Sequence, residues 1–138
     1  MSYASTTSVP VGRSKDEIEK TLVKYGASGF GSVTEKHRSC IVFGLADRRF
    51  RIKIQTKPEK SFRSAKHYEQ AQRTIWRCAL LIIKGRLEAV ESGIETVEEA
   101  FLPHLMLPNG KTVGEVMVPQ IASAYSDGNM PPLLGYSD

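Results

Sequence analysis

Apolar residues recur along this chain with two different periods, and the switch between them divides it into elements. Ile18, Leu22 and Tyr25 stand at i, i+4 and i+7, the stripe of an amphipathic helix. Ser14 followed by Glu17 has the form of a capping box for its start, and Gly26 stops it. The period then falls to two. Residues 30–34 form a weak first strand, and residues 39–45 a strong one with Ile41, Phe43 and Leu45 on one face. Ala46-Asp47-Arg48 suits a tight turn, with Asp47 as the turn former. In residues 49–57, Phe50, Ile52 and Ile54 point one way and Arg49, Arg51, Lys53 and Gln55 the other. These strands predict an antiparallel meander with one face on a core and one in water.

Pro58 ends the third strand, and a basic connector follows over residues 59–64. The helical period returns over residues 65–92, with Gly93 as its stop. Tyr68, Ile75, Trp76, Ala79, Ile83, Leu87 and Val90 share one side of this long helix, and Trp76 is its expected core anchor. Lys66, Arg73, Arg77 and Lys84 lie within about 20° of a second line, expected roughly opposite the apolar side. Thr96 opens a short helix. Thr112, with Glu115 three residues on, caps a last one to Tyr125, unless Pro119 delays its start to Val118. The segment 128–134 is partly apolar and is expected to pack on a neighbour. Residues 1–12, polar and closed by Val9-Pro10-Val11-Gly12, are expected to be disordered. Residues 13–138 then make a single α+β domain. Its order is α-β-β-β-α: a small three-stranded antiparallel sheet with one long helix and short C-terminal helices.

Composition adds limits. A chain of 138 residues, 41% hydrophobic, can build one ordinary core. The longest apolar run, Cys78 to Ile83, is too short to span a bilayer, and the N-terminal stretch lacks the apolar segment of a secretory signal. Cys40 and Cys78 make no disulfide framework and are expected to be buried and inert, so a cytoplasmic setting is expected.

Charge changes the picture more. Residues 1–86 hold 18 of the 19 Lys and Arg against 7 acids, a net of 18 − 7 = +11. Residues 87–138 hold Lys111 alone against 8 acids, a net of 1 − 8 = −7. A basic block of that size usually faces an anionic partner, most often nucleic acid. The candidate contact residues are Arg49, Arg51 and Lys53 on the strand, Lys57, Lys60 and Arg63 in the connector, and Lys66, Arg73 and Arg77 on the helix. Their spacing suits a phosphate backbone, and Phe62 and Tyr68 are candidate platforms for unpaired bases. The bland alternatives are a solvated face or another anionic ligand.

Other candidates favour structural readings. Gly26-Ala27-Ser28-Gly29-Phe30-Gly31 lacks the spacing and setting of a phosphate loop and suits a helix cap and turn. His37, His67 and His104 have no metal-ligating partner at i+3 or i+4. Glu88, Glu91, Glu95, Glu98 and Glu99 suit a solvated edge or a contact with basic residues of a neighbouring subunit. No nucleophile–base pattern is visible, so neither catalysis, cofactor nor metal is expected.

The string Glu69-Gln70-Ala71, Trp76-Arg77 and residues 83–94 resembles a family of small proteins carried by tailed bacteriophages and prophages. So do residues 107–115 and Met130-Pro131-Pro132-Leu133-Leu134. The resemblance implies a phage-encoded protein acting in the bacterial cytoplasm, where such genes serve replication, recombination or host takeover. It carries over no functional residues. The element order is also similar to that of double-stranded-RNA-binding domains and of single-strand annealing proteins. The expectation is a backbone-directed nucleic-acid-binding protein, single-stranded DNA first, that self-associates and has no membrane partner. The alternative is a host-defence antagonist that binds a bacterial protein or sequesters a nucleotide signal.

Overall fold

The computed structural model describes residues 4–35, 38–130 and 132. Helix α1 spans Val11–Lys24, strands β1, β2 and β3 span Gly29–Glu35, Arg38–Leu45 and Arg48–Gln55, and the long helix α2 spans Ala65–Glu91. A short α3 at Val97–Ala100 and a last helix α4 at Val113–Asp127 complete the α+β order.

The strands form an antiparallel sheet in the order β1-β2-β3. Between β2 and β3 the turn residues Ala46 and Asp47 both take positive φ, 50° and 60°. That is the mirror-image turn whose twist matches the strands it joins. The alternation of β3 then decides the two faces: Phe50, Ile52 and Ile54 are buried, whereas Arg49, Lys53 and Gln55 are exposed.

Helices α1 and α2 cover the inner face. Ile18 and Leu22 join Trp76, Leu80, Ile83 and Leu87 over Ile41, Phe43, Phe50 and Ile52 in one core. Phe101, just past α3, completes an aromatic cluster with Phe43 and Phe50, with ring centroids 5.4 to 5.7 Å apart. Each such pair adds roughly 0.5–1.5 kcal/mol beyond its burial. Trp76 is 1% exposed, with the Lys15 ammonium 4.8 Å from its ring centre. Ser64 caps α2 by accepting from the His67 N–H, and Gly93 follows with φ 83°.

Among the described residues, no helix packs across the outer face. Its rows read Gly29–Gly44–Arg49, Gly31–Val42–Arg51, Val33–Cys40–Lys53 and Glu35–Arg38–Gln55 across the three strands. Beside it, the free edge of β3 is closed at one point. Leu105 bridges to Phe50, and the Met106 N–H donates to the Arg49 carbonyl at 2.8 Å. Gly114 lets the first turn of α4 approach closely, since a Cβ there would lie 2.9 Å from the Pro103 carbonyl oxygen.

Several local expectations change. Helix α1 starts at Val11, inside the segment expected to be disordered, and Pro10 precedes it without a side-chain cap. Ser14 is buried in its first turns rather than capping it, and Glu17 turns to Arg77. Ala4 is 2% exposed, and the Gln70 side chain donates to the Ser5 and Thr7 carbonyls, so this strap lies along α2. Helix α4 runs through Pro119 from its Thr112–Glu115 capping box. Cys40 and Cys78 are half-buried rather than buried, because each points away from the core face of its own element. Met130 is 84% exposed; Pro131, Leu133 and Leu134, also expected to pack on a neighbour, lie outside the described residues, as does His37.

Candidate nucleic-acid interface

The nine cations proposed from sequence fall into three groups. The first is on the outer face of β3. Arg49 is exposed near the turn. Arg51 and Lys53 border an open depression of about 440 Å³ shared with Val33, Glu35, Arg38 and Cys40. These two cations are engaged from outside the sheet. Glu115, in the first turn of α4, accepts from Arg51 Nη2 at 2.5 Å and from Lys53 Nζ at 3.4 Å. The same carboxylate accepts from the Thr112 N–H at 2.8 Å. That backbone bond first, helped by the two cations, holds the Glu115 carboxyl down to about 2.

The second group lies where the sheet meets α2. Lys57, Lys60, Arg63 and Lys66 are exposed, with Glu59 as the acid in the connector. Among the described residues none of these four cations forms an ion pair. Within this segment Phe62 and Tyr68 meet edge to face, with centroids 5.5 Å apart and planes at 69°. Both rings are half-buried, so each keeps accessible surface beside the cations.

The third group, Arg73 and Arg77, does not lie opposite the apolar side of α2 as the helical projection suggested. It lies on the flank packed by α1, and both residues are half-buried. Arg77 Nη1 donates to Glu17 Oε2 at 2.8 Å, which lowers the Glu17 pKa. Arg73 donates twice to Gln70 Oε1, at 2.6 and 3.1 Å, and Gln70 in turn holds the N-terminal strap. Because α2 covers the inner face, the helix cations and the strand cations are separated by the core. The two rows do not form one surface. The connector group joins the strand group instead, since Lys57 continues from β3 and Arg38 pairs with Gln55 at the same end.

The acids have separate local roles. Glu98 pairs with Arg48 at 3.7 Å, and Glu99 completes the capping box of α3, which lowers its pKa. Tyr25 Oη donates to Glu88 at 3.1 Å, and Glu91 together with Glu88 pushes the phenol up to about 12. Burial lowers the pKa of His104. Among the described residues no group of three His, Cys, Asp or Glu side chains is placed to hold a metal ion. No helix among them is long and apolar enough to cross a membrane.

Sequence reasoning missed Glu115 as a partner of the strand cations and Glu17 as the partner of Arg77. Their only sequence signals were the two S/T-x-x-E patterns, one of which forms a capping box and one of which does not. Comparison with known protein families, curated proteins and solved structures finds no match to this chain.

Proposed function

We propose that this chain is a phage-type nucleic-acid-binding protein that follows the backbone with little sequence preference. Its favoured ligand is single-stranded DNA in replication or recombination, in the bacterial cytoplasm. The observation that supports this reading best is the Phe62–Tyr68 pair set among Lys57, Lys60, Arg63 and Lys66. Exposed aromatic faces stack on unpaired bases whatever their sequence, and flanking cations hold the phosphates between them. A duplex keeps its bases stacked inside and gains only the electrostatic part.

The geometry sets a magnitude. Four connector cations, plus a net single charge from Arg51 and Lys53 against Glu115, neutralise about five phosphates, giving a slope of log K against log salt near −3.5 for a single strand. Affinity should fall about 100-fold between 50 and 200 mM salt.

The test is fluorescence anisotropy with a labelled single-stranded oligonucleotide, the matching duplex and the matching RNA, each across a salt series. The single strand should bind tighter than the duplex. Lys60→Gln with Arg63→Gln should flatten the slope to about −2, and Phe62→Ala should weaken binding to the single strand more than to the duplex. No binding at low salt, or a slope near zero, overturns the reading. Salt-insensitive capture of one host protein would move the assignment to a host-defence antagonist.

A further inference from the structure

Helix α2 has a second apolar side that the sheet does not use. Ala71, Ile75, Cys78, Ile82, Gly85 and Ala89 succeed one another at spacings of 4, 3, 4, 3 and 4. This is the repeat of a helix–helix seam, and it runs about 27 Å along the axis. The seam carries no charge. Its flanks are fixed by neighbours within the chain: Arg77 reaches α1 on one side, and Arg86 donates to the Ala100 carbonyl of α3 on the other. Between them the strip is open around Leu81, Ile82 and Gly85, whereas Ala71, Ile75, Cys78 and Ala89 are half-buried and Ile75 also packs against the core. Ile82 is 52% and the adjacent Leu81 is 38% exposed, and a Cβ added at Gly85 would meet nothing within 4 Å. A helix apolar on two sides has a second surface to bury.

We infer that this side of α2 is the contact for a second copy of the chain, packed antiparallel about a two-fold axis at the height of Leu80. That axis sets Ile75 against the partner's Gly85, Ile82 against the partner's Cys78 and Ala71 against the partner's Ala89. Each larger side chain then meets a smaller residue, the interlocking that an isologous contact requires. Charge favours the same direction. The end of α2 that follows the basic connector meets the partner end that leads to Glu95, in the acidic part of the chain. A parallel pair would bring like ends together. The outer sheet face lies on the far side of each copy and stays free. The inference rests on no part of the nucleic-acid reading, and its test uses protein alone.

A single seam of this length is at the small end of stable interfaces, so dissociation should fall in the micromolar range. Sedimentation velocity should show the parent dimerising as concentration rises to about 100 µM. Ile82→Glu should stay monomeric over that range with unchanged far-UV circular dichroism. A parent that is monomeric throughout overturns the inference, whether the strip is bare or covered by the chain's own C-terminal segment. So does a folded I82E that dimerises as the parent does.

A cross-link keeps the test sharp should I82E fail to fold. In a Cys40→Ser background, Ile82→Cys should oxidise to a dimer joined Cys78 to residue 82. An intrahelical bond between those positions is disfavoured, because Cβ atoms four apart on a helix sit about 5–6 Å from each other. A dimer joined through Cys78 to Cys78, or no cross-linked dimer, overturns the antiparallel arrangement.

Discussion

Glu115→Gln isolates the contact that fixes α4 to the sheet. The parent carboxylate completes the capping box with Thr112 and bonds both Arg51 and Lys53. Glutamine keeps the size and can still bond the Thr112 N–H, but loses the charge. The cap is therefore kept, and what is lost is two partly exposed ion pairs, each worth about 0.2–1 kcal/mol. With the Glu115 side chain 32% exposed, solvent screens the pairs, and we take a total of about 1 kcal/mol. The loss should be local, because α4 packs chiefly on the Leu102–His104 turn and buries Val113 alone. Hydrogen exchange along α4 should then speed up about fivefold at neutral pH, while β2 and α2 keep their protection. The pH dependence follows from the same contact. The Glu115 carboxyl sits at about 2 in the folded chain against an ordinary 4.5, so its contribution is fully present above the ordinary value and is lost as pH falls toward 2. The α4 exchange protection of parent and variant should therefore converge across that window. Unchanged exchange in α4 at neutral pH, or a gap in α4 protection that stays constant to pH 2, would refute the reasoning.

Two further outcomes follow from the packing. Trp76→Ala removes the largest buried side chain and should cost roughly 3–5 kcal/mol, seen as a lower denaturant midpoint; an unchanged midpoint would mean the indole is not in the core. Pro119→Ala restores a donor for the Glu115 carbonyl inside α4 and should stabilise that helix locally by up to about 3 kcal/mol. The readout is slower exchange over residues 120–127, with little change in the global melt; slower exchange throughout the molecule would show that α4 is bound to the core more tightly than its contacts imply.

The local pattern determined much of this protein. Alternation alone oriented β3, because side chains on a strand can only alternate, so Phe50, Ile52 and Ile54 had to share a face opposite Arg49, Arg51 and Lys53. The stop signal of α2, Gly93, is an interaction within a few residues and was legible for that reason, whereas the Ser64 cap was not singled out. Trp76 followed from the same periodicity. Period does not encode how one element rotates or leans against another. Arg77 looked like a solvated cation until α1 brought Glu17, 60 residues away in sequence, to its guanidinium. Arg51 and Lys53 looked free until α4 laid Glu115 across them from 64 and 62 positions away. Ser14 was misjudged for the opposite reason: its local capping pattern was present, but α1 starts earlier, at Val11, which leaves Ser14 buried inside the helix while Glu17 bonds Arg77. Sequence thus assigned each cation to a face of its own strand or helix. The tertiary structure alone decided that those faces lie on opposite sides of one core, because only packing sets which flank of α2 meets α1 and which meets solvent.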